Sequence, residues 1–140
     1  MGWADSAEPN IRVVGRFYDE LWNQWRFELL DEIIAEAIRF RSSLGTEVTG
    51  RNEFKGLMER VRGVFPDLHH RVDEMLAIGD RVVARVTYSG THRGRLGDVE
   101  PTEAHVEYVG AAFFRLSGGR IEEGWVVADT AAVWRAIGKL

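Results

Sequence analysis

An aspartate, Asp129, and a histidine, His92, are the residues of this chain best placed to move protons. Asp129 closes a stretch in which Ile121, Glu123, Trp125, Val127 and Asp129 fall on one face of a strand by period two. If that face is buried, desolvation raises the carboxyl pKa and makes a general acid or base near neutral pH. Asp129 also stands directly before a helical run, where Asp is a favoured N-cap, and capping would stabilise the anion instead. His92 lies in Gly90-Thr91-His92-Arg93-Gly94, at the end of a strand where an imidazole could donate to a carbonyl or shuttle a proton. His69 and His70 are neighbours, so one must face inward and the other outward; His69 is assigned to the interior. Tyr18 and Trp22, one helical turn apart, form an aromatic stripe that Met75, Phe114 and Trp125 could extend into the wall of an apolar pocket.

Other chemistries find little support. No pair among the four histidines has the helical i, i+4 spacing of a zinc site, and the chain has no cysteine, so no metal site is expected. The glycines at 90, 94 and 97 open no helix, no phosphate-binding Gly-Lys-Ser/Thr is present, and no Gly-x-Ser-x-Gly elbow offers a serine nucleophile. No cofactor is expected. Arg60, Arg62 and Arg71 alternate with apolar and acidic positions and read as a solvated face. The net charge of −4 argues against nucleic-acid and anionic-membrane partners, and no apolar run approaches the length of a membrane span. The N-terminus has no signal-peptide pattern, which leaves a cytoplasmic protein as the expectation. Of 18 basic residues only Lys55 and Lys139 are lysine, a bias that points to a GC-rich bacterial genome.

The elements that must position these groups follow from periodicity. The length suits one domain, residues 1–140, with 45% hydrophobic residues, enough for a packed core. A first helix, capped by Asp5 or Ser6 with Pro9 in its first turn, carries Ile11, Val14, Tyr18, Leu21, Trp22 and Trp25 on one face. A second spans about 27–37, and 38–41 is a short strand. A third helix follows Gly50, buries Phe54, Leu57, Met58, Val61 and Phe65, and stops at Pro66. From residue 67 the period becomes two. Strands are predicted over 68–78, 81–92, 104–116 and 121–129, joined by short turns into an antiparallel meander, with a last helix over 130–137. The pattern is α+β, with helices packed on one face of a curved sheet.

Several motifs resemble those of the SnoaL-like polyketide cyclases. They are Phe17-Tyr18-Asp19-Glu20-Leu21-Trp22-Asn23, Phe65-Pro66-Asp67-Leu68-His69, Gly79-Asp80-Arg81-Val82-Val83, Gly90-Thr91-His92 and Pro101-Thr102. The closing segment, Arg115-Leu116 through Trp125 to Asp129, resembles the family's last hairpin. The chain departs from the family pattern at Gln24-Trp25-Arg26, at Arg39 and Arg41, and at Glu100-Pro101-Thr102-Glu103. The resemblance implies a cone-shaped nuclear-transport-factor-2-like (cystatin-like) fold around a pocket. It also implies an acid/base aspartate near the end of the last strand.

Three functions are compatible with these residues. The first is a cofactor-free enzyme, a cyclase or isomerase, acting on a small apolar or aromatic carbonyl or ester compound with Asp129 as acid/base and His92 assisting. The second is a ligand-binding module without chemistry. The third is an epoxide-hydrolase-like enzyme built around Arg85. Apolar positions such as Val83, Val109, Phe113 and Val126, on a face the helices leave uncovered, predict a homodimer through the sheet.

Overall fold

The computed structural model describes residues 2–140. Helix α1, Pro9–Arg16, starts with proline at its first position, where the missing N–H costs nothing. Its cap is Glu8, whose carboxylate accepts from the Ile11 N–H at 2.7 Å; the expected caps, Asp5 and Ser6, lie a short turn earlier. The helix runs into a wider π-turn, Phe17–Trp22, in which the Asn23 N–H reaches back five residues to the Tyr18 carbonyl at 2.9 Å. Phe17, Tyr18, Leu21 and Trp22 are all buried there.

The predicted second helix is cut short. After a single 3-10 turn, α2 covers Leu30–Ile33, and strand β1 begins at Ile34 and runs to Arg41. Burial of Ile34, Ile38 and Phe40 on one face of β1 overrides the helical spacing read from Leu29, Leu30, Ile33 and Ile34. A short strand β2, Glu47–Thr49, turns back on β1. Helix α3, Arg51–Val64, follows Gly50, whose positive φ of 92° turns the chain into the helix. Strands β3 (His69–Ile78), β4 (Arg81–Thr91), β5 (His105–Ser117) and β6 (Arg120–Ala128) form the expected antiparallel meander, and α4, Thr130–Ala136, ends the fold.

The six strands make one sheet in the order β2-β1-β6-β5-β4-β3. The β1–β6 pair is parallel, a long-range contact that brings the N-terminal third to the last strand. The architecture is α+β, a curved sheet with α1, the π-turn and α3 over its inner face. Phe17 holds these layers together, its ring 5.4 Å from Phe114 on β5, 6.4 Å from Phe40 on β1 and 6.1 Å from Phe54 on α3. A smaller cluster of Phe65, Leu68, Val106, Val133 and Ile137 seats α4.

Two bulges decide which side chains face inward. In β3, Val72 pairs with Val86 and Glu74 with Arg85, so Asp73 is an extra residue and the alternation changes phase. Met75 is buried, yet His69, of the same parity, is exposed and His70 is buried instead. In β6, Arg115 pairs with Glu123 and Leu116 with Ile121, leaving Glu122 extra. Ile121 is buried, but beyond the bulge Gly124 and Val126 take the inner face, while Trp125 and Val127 are 49% and 54% exposed. The period-two reading of both strands is therefore corrected on one side of each bulge.

Candidate active site

Between the helices and the inner face of the sheet lies a cavity of about 510 Å3. Its floor is a row across three strands, since His70 pairs with Tyr88 and Tyr88 with Tyr108 in register. The Tyr88 and Tyr108 rings stack at 4.7 Å, and His70 meets Tyr88 edge-on at 5.2 Å. Tyr18 and Trp22 from the π-turn close over His70, their rings 5.4 and 5.3 Å from the imidazole. Phe40, Leu57 and Val126 add apolar wall, while Ser42, Ser43 and Thr46 from the β1–β2 turn form one part of the rim. Arg60 on α3 and Arg95 and Leu96 on the β4–β5 loop form another. Among the described residues, no aspartate or glutamate lines the cavity.

Asn23 fixes the chemical state of His70. Its Oδ1 accepts from the His70 backbone N–H at 2.8 Å and its Nδ2 donates to the His70 carbonyl at 2.9 Å. These two bonds determine which end of the amide is oxygen. His70 Nδ1 lies 3.2 Å from that same Oδ1, so Nδ1 carries the hydrogen and donates. Nε2 is then left with its lone pair. Burial pushes the His70 pKa down to about 3, with a smaller effect from neighbouring His69, so the ring is neutral at physiological pH. The Tyr88 hydroxyl is buried with no hydrogen-bond partner in the protein, and burial pushes its pKa up, so it remains a donor. Burial likewise raises the Tyr18 phenol well above its usual value. The His70 ring, with its Nε2 lone pair free, and the Tyr88 ring, whose buried hydroxyl has no partner, thus meet edge-on in the cavity wall.

The residues proposed from sequence are distributed differently. Tyr18 and Trp22 line the cavity. Phe114 lies one layer behind it, packed on Phe17 and Tyr18, and Met75 is buried in the core outside the lining. His69 is exposed, displaced from the interior by the Asp73 bulge. Trp125 is on the outer face under the Arg41 guanidinium, 4.6 Å from the ring centroid. Asp129, shifted by the Glu122 bulge, is exposed and caps α4, accepting from the Ala132 N–H at 3.2 Å. His92 is fully buried but outside the cavity lining; its Nδ1 accepts from the Thr102 N–H at 3.2 Å and lies 2.9 Å from the Thr102 hydroxyl. With its own N–H on the Ala104 carbonyl at 3.0 Å, it ties the two ends of the β4–β5 loop. The carboxylate–arginine cluster around Arg85 exists, with Asp73 at 3.9 Å and Glu74 at 3.7 Å, but on the solvent face of the sheet.

Comparison with known proteins agrees with this architecture. The model of the SnoaL-like polyketide cyclases matches residues 12–137, and the chain belongs to that family. No curated protein is significantly similar to it. Among solved structures, a SnoaL-like polyketide cyclase, provisionally so described, from Jannaschia sp. CCS1 superposes with a TM-score of 0.87 at 23% identity, over 97% of this chain and 98% of that one. AclR of Streptomyces galilaeus, provisionally described as a hydroxylase, has a TM-score of 0.81 at 27% identity, over 96% and 84%. IdmH of Streptomyces antibioticus, provisionally described as a polyketide cyclase, has 0.80 at 26%, over 94% and 99%.

Proposed function

We propose that this chain is a cofactor-independent enzyme of cyclase or isomerase type that removes a proton adjacent to a carbonyl of a small, largely aromatic substrate. His70 Nε2 takes the proton, the C–H electron pair moves to the carbonyl oxygen, and the Tyr88 hydroxyl donates to the enolate oxygen that forms. The imidazolium arises beside that enolate. Their attraction in a low-dielectric chamber offsets the desolvation that keeps His70 unprotonated in the empty site. The enolate carbon then attacks a second carbonyl, closing a ring as the His70 imidazolium returns its proton to the new alkoxide oxygen, or, in a conjugated enolate, a more distant carbon takes that proton from His70 and the double bond moves.

The observation that carries this reading is the His70–Tyr88 pair, with Asn23 setting the imidazole tautomer and the Tyr88 hydroxyl left unpartnered. The test is proton–deuterium exchange at the carbon next to the carbonyl of 2-tetralone, followed by NMR. The protein is expected to accelerate exchange, His70→Gln to lower the gain by about 10²-fold or more, and Tyr88→Phe by about 10²-fold. Exchange unaltered by either change would refute the assignment. A ligand-binding module without chemistry is the second reading, favoured by the exposed, capping position of Asp129, which leaves no carboxylate in the cavity. It predicts that 2-tetralone binds without exchange.

We further infer a homodimer through the outer face of the sheet and a cytoplasmic place of action in a bacterium. The absence of cysteine and the bacterial sources of the similar structures are in keeping with the latter, and no helix among the described residues is long and apolar enough to cross a membrane.

A further inference from the structure

We infer that the substrate carries an anionic group, a carboxylate or its equivalent, held at the mouth of the cavity by Arg60 with Arg95 beside it. The inference rests on the function proposed above and narrows its substrate class. The charged side chains in the lining are these two arginines, and no acid accompanies them there. An apolar chamber whose lining carries cationic side chains and no acid suits an amphipathic ligand, with its body inside and its opposite charge at the entrance.

The backbone fastens together the two elements that carry these arginines. Arg60 lies one helical turn before Val64 on α3, and the Val64 carbonyl accepts the N–H groups of both Arg93 and Gly94, at 2.9 and 3.1 Å. Gly94 makes this possible, because a Cβ there would collide with the Gly63 carbonyl. The loop is therefore fastened to the end of α3, with Arg95 next in the chain. Both arginines are exposed, but they differ in what occupies them. Arg95 is engaged within its own loop, donating to the Gly97 carbonyl at 3.1 Å and pairing with Glu100 at 3.2 Å. Arg60 has no carboxylate within ion-pair distance among the described residues, and its guanidinium lies back along α3 near Gly56. Arg62, the other arginine of this turn, covers the Trp25 ring at 5.3 Å, outside the cavity. Arg60 is thus the free fork at the rim, able to take a carboxylate with two parallel N–H donors, and Arg95 is a second cation held in reserve by Glu100.

The probes are three molecules with one skeleton and different charge: 2-naphthoate, its methyl ester, and 2-naphthylmethylammonium. Binding to the full chain is measured by calorimetry at low and high salt. The carboxylate is expected to bind about tenfold more tightly than the ester at low salt, with the ammonium weakest, and the margin to shrink as salt rises. Arg60→Gln should erase the acid-over-ester margin, Glu100→Gln should widen it by freeing Arg95, and Arg62→Gln should leave it in place. Equal binding of all three probes, or a margin that survives Arg60→Gln, overturns the anionic substrate while leaving the proposed chemistry standing. Failure of every probe to bind at millimolar concentration overturns the cavity as a ligand site, and this inference with it.

Discussion

At the scale of single residues, the site differs from a carboxylate-based one in where charge is allowed. His70 is surrounded by Tyr18, Trp22 and Tyr88, and the imidazolium has no acid to pair with. The consequence for stability has a definite sign. In the unfolded chain His70 titrates near the ordinary ~6.5; in the folded one it stays neutral down to about 3. Between those values the unfolded chain binds a proton that the folded chain refuses. Stability is complete above ~6.5 and falls as pH drops toward 3, by roughly 1.4 kcal/mol per pH unit from this group. Urea unfolding at pH 7 and pH 5 should show the loss in the parent protein and a shallower one in His70→Gln; parallel losses would contradict the placement. Asp129 gives the opposite kind of prediction. As an exposed N-cap it should tolerate Asn with little change, while Asp129→Ala costs about 1 kcal/mol, read from the urea midpoint. Neither change should slow ketone exchange, and a collapse of exchange in Asp129→Asn would return the chemistry to the aspartate.

At the scale of elements, close approach of the layers leaves little slack around the cavity. Gly124 on β6 passes under the Phe40 ring, and a Cβ at that position would lie 2.5 Å from Phe40 Cδ1 and 2.7 Å from Cε1. Phe40 cannot swing aside, because Phe54 meets it edge-on at 5.0 Å and Phe17 stands at 6.4 Å. Gly124→Ala should therefore destabilise by about 1–3 kcal/mol in urea and weaken ligand binding, since Phe40 is part of the wall. A fully stable variant with unchanged affinity would show the layers to be looser than this. The same crowding explains what could be read from the sequence. The helical face of Phe54, Leu57 and Met58, the turns at Gly79-Asp80 and Ser117-Gly118-Gly119, and the alternating runs between them specify the meander and α3 by local rules. Tyr18 and Trp22 were legible as an inward stripe. The bulges at Asp73 and Glu122 were not, because an inserted residue has no composition of its own and appears only in the pairing of two strands. Each one exchanged an inner residue for an outer one, His69 for His70 and Trp125 for Val126. The pairing of β1 with β6 was equally hidden, being parallel and distant in sequence. Tyr88 was visible on an inward face with Val82, Ala84 and Val86, and an aromatic hydroxyl among aliphatic neighbours was the signal that could have marked it.

For the whole molecule, the outer face of the sheet poses a separate question. Val83, Phe113 and Trp125 lie side by side across β4, β5 and β6, with Leu76 next to Val83 on β3. All four are exposed, Leu76 by 60%, and Val109 and Val127 extend the patch along β5 and β6. The Glu122 bulge composes this surface as well as the cavity, since it turns Trp125 and Val127 outward and takes Val126, once expected there, to the inside. Charged residues border the apolar row in mixed signs, with Arg81 beside Arg115 and Arg115 beside Glu123 in register. In the proposed dimer two such sheets would stack about 10 Å apart under a two-fold axis, burying the apolar row of each against the other. A second copy of this chain is the occupant proposed for this face. The expected result is a dimer of twice 15.9 kDa by light scattering at micromolar concentration. Phe113→Arg, at the centre of the row, should place an unpaired charge in the contact and yield a folded monomer with unaltered circular dichroism. A parent protein that scatters as a monomer, or a Phe113→Arg variant that remains dimeric, would assign these exposed side chains to some surface other than a dimer contact.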